Sequence, residues 1–294
     1  MNQKIKKAIY PFYHFVNVLA TPLKISLYLN NRRTAFGIGY KEYKWKLLKN
    51  ILSDAAFLNS FKNRELASQY GIGLDERMVE YPWIFTHLST ATSRCLDAGS
   101  TLNFGPILNH PLIQNKNLTI YTFYPEVPSF PSSRVEYVYG DLRQMPFANE
   151  SFEEVVCHST IEHVDMDNSV YGYDIAHNQE ITKKSYDYLK VISELHRVLC
   201  PSGVLLLTFP FGKFENHGFF QQFDSEMLQK IRETLTLFGA VQTDFMRYTA
   251  QGWIFCQESD CQDVVSHNPH TGRGKGTDQA AHCRSVCLLH FRKS

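Results

Sequence analysis

The chain has 294 residues, with 30 Lys and Arg against 29 Asp and Glu, a net charge of +1 at neutral pH. So even a balance gives the whole molecule no field for a polyanion, and nucleic acid is not the expected partner. The 44% hydrophobic fraction can fill one large α/β core or two small ones. Seven cysteines, an odd number at 95, 157, 200, 256, 261, 283 and 287, argue for free thiols in a reducing, cytoplasmic compartment rather than a disulfide framework.

Residues 1–35 read as an irregular or partly helical arm, and 36–294 as the domain. In the arm, Lys4, Lys6 and Lys7 precede an apolar, aromatic stretch from Ile9 to Leu29. Pro11, His14, Asn17, Pro22 and Lys24 interrupt it, so it lacks the roughly 18 or more uncharged apolar residues that a spanning helix needs. Val18-Leu19-Ala20 is a poor cleavage site for a secretory signal. Two readings stay open: the arm packs against the domain or a partner subunit, or it lies on a membrane surface through a basic-flanked amphipathic face, giving a cytoplasmic or membrane-peripheral protein.

Tyr43, Leu47, Leu48, Ile51, Leu52 and Phe57 recur at roughly helical spacing and predict a helix over Lys41–Leu58. A second helix is expected over Met78–Leu88, started or kinked by Pro82. From residue 93 short apolar runs alternate with helices, the pattern of a doubly wound α/β sheet. Strands are expected at Arg94–Ala98, Leu118–Phe123, Val135–Tyr139, Glu153–His158, Val204–Phe209, Val241–Phe245 and Arg284–Phe291, with helices at Lys184–Leu199 and Ser225–Leu237, the latter capped by Asp224 or Ser225. The polar, Gly- and His-rich stretch 257–282 is longer than most connections and reads as a functional or mobile loop. His267, His270, His282 and His290 stand near the last four cysteines, but the pairs Cys256/Cys261 and Cys283/Cys287 lack the two-residue spacing of a zinc knuckle, so no metal is expected.

The first strand runs into Asp97-Ala98-Gly99-Ser100-Thr101-Leu102-Asn103. A tight glycine turn at the carboxyl edge of a parallel sheet is where such folds admit a nucleotide-like ligand, because backbone can approach closely only without a Cβ. Further on come Gly140-Asp141-Leu142 with Pro146-Phe147, Ser151-Phe152 with Val155, Glu162-His163-Val164, and Glu194 with Arg197-Val198-Leu199, Pro201 and Gly203.

In that order and spacing, over roughly residues 93–210, these motifs resemble the class I S-adenosylmethionine (SAM)-dependent methyltransferases of the type 11 kind. The resemblance implies a doubly wound, seven-stranded, Rossmann-like sheet with helices on both faces. It implies SAM as cofactor and methyl transfer by direct displacement to a small-molecule, lipid or glycan-intermediate acceptor. By the same resemblance Asp97, Gly99 and Ser100 lie at the methionine end of SAM, Asp141 accepts from the adenine amino group with Leu142 beside the ring, and Ser159 with Thr160 reaches the methionine part and reactive methyl. Arg77 and Glu80 are candidates for its carboxylate and amino group.

The chain departs from the family pattern in two places. Thr101 and Asn103 hold the second and third glycine positions of the loop, and the acid expected at the end of the second strand is displaced to Glu126, with Thr122 as a substitute. The acceptor side is expected from Asp165–Gly172 and Phe209–Gly218, with His163 or His217 as the base an oxygen nucleophile would use. The departures also motivate the alternative of a non-catalytic, methyltransferase-like binding subunit. A dinucleotide oxidoreductase is disfavoured, because no Gly-x-Gly-x-x-Gly follows the first strand.

Overall fold

The computed structural model describes residues 19–127, 129–173 and 183–294. Lys4, Lys6, Lys7 and the apolar stretch up to residue 18 lie outside the described residues. Residues 19–30 are helical (α1) and bury Ile25 and Tyr28 against the domain. The expected helix over Lys41–Leu58 is two, α2 (Tyr40–Leu52) and α3 (Ala55–Lys62), because Asp54 accepts from the amides of Ala56 and Phe57 at 2.9 and 3.1 Å and starts a new helix there. Helix α4 (Arg77–His87) contains Pro82. A proline there supplies no N–H for the Met78 carbonyl, and the Tyr70 hydroxyl donates to that carbonyl instead, at 2.6 Å.

The sheet is built from β1 (Arg94–Ala98), β2 (Asn117–Thr122), β3 (Val135–Tyr139), β4 (Phe152–His158) and β5 (Leu199–Pro210). Between β1 and β2 stand only two one-turn helices, α5 (Gly105–Leu108) and α6 (Pro111–Gln114). The amphipathic α7 (Tyr188–Val198) leads into β5. A small antiparallel ladder, β6 (Glu215–Asn216) and β7 (Gln221–Gln222), precedes α8 (Ser225–Thr236), whose cap is Asp224, accepting from Met227 N at 3.1 Å. Then come β8 (Gly239–Thr249), β9 (Gly252–Cys256) and β10 (Ser285–Lys293).

The strand order is β3-β2-β1-β4-β5-β10-β8-β9, parallel from β3 to β5, with β10 antiparallel to both neighbours. All seven expected strands are present. The eighth, β9, is an added hairpin arm: β8 runs on to Thr249, turns, and pairs back through Gly252–Cys256. Two apolar layers flank the sheet. One packs α2, α3 and α4 on residues such as Cys95, Ile120 and Val156, and the other packs α7 and α8 on Leu96, Val155 and Leu207. Successive strand residues point to opposite faces, so each strand feeds both layers.

At the edge between β1 and β4, Lys116 and Glu154 form an enclosed ion pair at 2.6 Å, and the ammonium also donates to the carbonyls of Ser89 and Ala91. The stretch 257–282 is tied down: Gln222 donates to the Val264 carbonyl at 2.7 Å, His267 N donates to His282 O at 3.0 Å, and Ser266, His267 and Asn268 are buried. Among the described residues no helix is long and apolar enough to cross a membrane. All seven cysteines are free thiols.

Candidate active site

In a doubly wound sheet the strand order reverses at one point, and the connections there diverge to opposite faces, leaving a crevice beyond the carboxyl ends. Here that point lies between β1 and β4, and a cavity of about 310 Å³ opens over it. Its wall takes residues from the ends of the first four strands in turn: Gly99, Ser100 and Thr101 after β1, Thr122, Phe123 and Glu126 after β2, Gly140, Asp141 and Leu142 after β3, Ser159 and Thr160 after β4.

At β1 the chain must turn within a residue of Thr160. Gly99 takes φ +123°, and a Cβ there would meet Thr160 Oγ1 at 2.1 Å and Cγ2 at 2.6 Å, closer than any such contact allows. Ser100 follows with φ 62° and Ser159 answers across the crevice with φ 42°, both in the left-handed region that non-glycine residues rarely occupy. Asp97 holds this turn together. Its carboxylate accepts from Leu102 N at 2.8 Å, Thr101 N at 3.1 Å and Thr101 Oγ1 at 3.2 Å, and it is fully buried beneath the loop rather than on the cavity wall. Burial pushes its pKa up to about 7 against the opposing effect of those hydrogen bonds. Thr101 and Asn103 therefore serve the loop through their own atoms, Asn103 donating to Glu126 at 3.2 Å.

The acid after β2 reaches back toward the β1 loop. Glu126 Oε2 accepts from Ser100 Oγ at 2.6 Å, and Oε1 accepts from Thr122 Oγ1 at 3.1 Å and from the Tyr173 hydroxyl at 3.3 Å. Both candidates for the displaced acid, Glu126 and Thr122, thus stand together at the wall. At β3, Arg143 grips the carboxylate of Asp141 through Nε at 3.1 and 3.0 Å and through a terminal nitrogen at 2.7 Å, and bridges to Asp187 at 2.9 Å. Together with Arg143 N, which donates to Oδ1 at 2.8 Å, the grip fixes the orientation of Asp141 at the wall. Leu142 beside it is buried.

Beneath β4 lies a polar network. Glu80, enclosed on α4, accepts from Ser159 Oγ at 2.5 Å and Thr208 Oγ1 at 2.7 Å through one oxygen, and meets His158 Nε2 at 2.8 Å and Arg77 at 2.6 Å through the other. Burial alone would raise its pKa, but His158, Arg77 and the hydrogen bonds outweigh it and hold the carboxyl well below the usual range. Arg77 reaches the cavity wall, while Glu80 is wholly committed to the network.

The remaining wall comes from His163, Val164, Asp165, Met166, Asn168, Tyr171 and Tyr173. His163 Nδ1 lies 2.7 Å from the Phe219 carbonyl, which can only accept, so Nδ1 carries the proton and Nε2 its lone pair. Burial lowers its pKa to about 4, leaving the ring neutral at physiological pH. His217 is elsewhere, stacked on Phe220 at 4.4 Å with neither ring nitrogen hydrogen-bonded, and it does not line the cavity. Of the two expected acceptor segments only Asp165–Gly172 lines the cavity, and Phe209–Gly218 runs behind it. Tyr81, Phe104 and Tyr173 had no motif to mark them, whereas Arg143 directly follows Gly140-Asp141-Leu142.

Among the described residues one trio has metal-ligand chemistry, Glu76, His282 and Cys283, with ligand atoms within 4.8 Å of one another. Its members already bond each other: His282 Nδ1 lies 3.3 Å from Glu76 and 2.9 Å from the Cys283 thiol.

Several solved structures resemble the chain. A SAM-dependent methyltransferase from Archaeoglobus fulgidus is 13% identical, covering 82% of this chain and 100% of that one with a TM-score of 0.45. The N-methyltransferase NodS from Bradyrhizobium japonicum, in complex with S-adenosylhomocysteine, is 12% identical, covering 85% of this chain and 97% of its own with a TM-score of 0.41. The 1,6-didemethyltoxoflavin-N1-methyltransferase from Burkholderia thailandensis is 13% identical, covering 69% of this chain and 72% of its own with a TM-score of 0.38. No curated protein matches the sequence. Residues 122–207 match the family model described as a methyltransferase domain. That match runs from Thr122 at the end of β2 through Asp141 and Ser159 into β5, across the strand ends that form the cavity, so this part of the chain is similar to a methyltransferase domain.

Proposed function

We propose that the cavity over β1 and β4 holds SAM along the line Ser159–Gly99–Glu126–Asp141 and presents its methyl group to a small, hydroxyl-bearing acceptor between His163 and Tyr171. The observation that carries this reading is the convergence of four strand ends on one cavity, each bringing the residue type the cofactor needs. Glu126 supplies a carboxylate for the ribose diol, Asp141 an acceptor for the adenine amine, Arg77 a cation for the carboxylate, and the positive-φ turn at Gly99 a close backbone wall. When bound, SAM supplies an electrophilic methyl on sulfur. The protein's own work is to align the acceptor, exclude water and receive one proton.

His163 is suited to that last task, because its Nδ1–H is spent on the Phe219 carbonyl and Nε2 stays available as a neutral base. The aromatic and polar wall of Phe104, Tyr171, Tyr173 and Asn168 favours a ring or sugar-like acceptor over a polyanion. A lipid- or glycan-linked version of such an acceptor fits the same chemistry at its reacting end.

Calorimetric titration with S-adenosylhomocysteine tests the cofactor half. Micromolar binding is expected, weakened by about 1–3 kcal/mol in Asp141→Ala, the scale of a lost polar partner. A folded protein that gives no heat would overturn the reading and favour the non-catalytic binding subunit. Once an acceptor is in hand, His163→Gln is expected to lower turnover by roughly 10²–10⁴ with binding of S-adenosylhomocysteine unchanged.

A further inference from the structure

Charge is distributed unevenly along this near-neutral chain. Residues 1–53 hold ten Lys and Arg against a single acid, Glu42, and the rest of the chain holds twenty against twenty-eight acids. Among the described residues, the basic part also carries a concentration of exposed apolar side chains. Leu19, Leu23 and Leu27, spaced four apart on α1, are 66%, 65% and 49% exposed, and Phe36 and Ile38 in the following turn are 53% and 71% exposed. Residues four apart share one helix face, so the leucines form a stripe.

The rotation of that helix is set from the other side. Ile25 and Tyr28 are buried, the Tyr28 hydroxyl donates to the Gly73 carbonyl at 3.0 Å, and its ring packs against Tyr40 and Tyr43 at 5.8 and 5.4 Å. The leucine stripe therefore cannot turn inward without breaking these contacts. Gly39 braces the junction as well, since a Cβ there would meet the Lys24 carbonyl oxygen at 1.9 Å. On α2, which follows that turn, Lys41, Lys46 and Lys49 are exposed. Lys24 pairs with Glu42 at 2.9 Å and Lys44 with Asp75 at 2.5 Å, so these two help to hold the unit on the domain.

We propose that this unit, residues 19–49, docks on an anionic lipid bilayer. The leucine stripe, Phe36 and Ile38 enter the boundary between headgroups and acyl chains while Lys41, Lys46 and Lys49 lie among the anionic headgroups. Exposed apolar side chains together with exposed cations in one basic segment are what such an interface rewards, each part adding to the other. A second copy of the chain offers the same stripe but sets two strongly basic faces against each other, and a nucleic acid gives the leucines nothing to bury in. The same helix α2 reaches the cavity wall: the Trp45 ring packs at a tilt against Phe104 at 4.8 Å and Tyr81 at 6.0 Å, both of which line the cavity. The inference stands apart from the proposed acceptor and holds whatever is methylated.

Co-flotation of the full chain with lipid vesicles tests it. Binding is expected to phosphatidylcholine vesicles containing phosphatidylglycerol, to be weak to phosphatidylcholine alone, and to fall with salt. The triple variant Leu19→Ser, Leu23→Ser, Leu27→Ser changes only exposed side chains and should melt as the parent does, yet lose on the order of a hundredfold in partitioning. Lys41→Glu, Lys46→Glu, Lys49→Glu should abolish the preference for anionic lipid. Equal binding to neutral vesicles, or full binding by the serine variant, would overturn the proposal. A concentration-dependent dimer lost in the serine variant, without vesicle binding, would overturn it in favour of self-association, and tighter binding to RNA than to vesicles in favour of a nucleic-acid surface.

Discussion

Replacing Gly99 by alanine probes the point on which the cavity depends. The new methyl would sit 2.1 Å from Thr160 Oγ1 and 2.6 Å from Cγ2, on a residue held at φ +123°. Backbone strain at such an angle costs about 1–3 kcal/mol, and forcing a methyl into a filled space a similar amount. The structure can relieve the clash by displacing Thr160, whose loop continues from β4 beside Ser159, where Ser100 and Ser159 bound the cavity. Thermal unfolding should therefore drop by several degrees, and affinity for S-adenosylhomocysteine by roughly ten- to a hundredfold. The two losses share one cause, so adding Thr160→Ala to Gly99→Ala should restore part of both, with a coupling of about 1–2 kcal/mol in a double-mutant cycle. Thr160→Ala alone is expected to be mild, since it gives up one hydrogen bond to the His158 carbonyl. Gly99→Ala that melts and binds as the parent does, or two substitutions whose effects simply add, would refute the argument.

Three further outcomes follow from the buried polar groups. The Asp97 carboxyl has a pKa near 7 in the folded chain against about 4 unfolded, so the native state binds the extra proton between those values. Its contribution to stability is full below about pH 4 and declines as pH rises to 7, by up to about 4 kcal/mol; urea unfolding of Asp97→Asn should show that decline removed relative to the parent, and an unchanged difference between pH 5 and pH 8 would contradict the assignment. Lys116→Met leaves Glu154 enclosed without its cation at 2.6 Å and should cost about 3–5 kcal/mol in chemical denaturation, far more than a surface lysine. Tyr70→Phe strips the Met78 carbonyl of the donor that stands in for the missing Pro82 amide and should cost about 1–3 kcal/mol, measurable in the same assay.

Strands that enter the buried centre of a parallel sheet need continuous apolar runs, and those runs are local facts of sequence. Arg94–Ala98 and Val135–Tyr139 were legible to the residue, and the other expected strands to within five residues at each end. Residue type after a strand end was legible too: Gly99, Asp141, Leu142, Ser159 and His163 all reach the cavity wall from positions that motif spacing marks. What sequence could not supply was direction. Asp97 and Glu126 are both acids near strand ends, yet one turns under its loop to accept three hydrogen bonds and the other stands on the cavity wall. His163 and His217 carry the same ring, but only the packing of Phe219 and Phe220 sends one to the wall and the other behind it. The eighth strand, the break of one helix at Asp54 and the outward leucine stripe of α1 likewise depend on contacts between residues distant in sequence. Composition and periodicity determine which segments bury apolar surface, whereas the side a polar or exposed group takes is decided by partners that only the folded chain brings together.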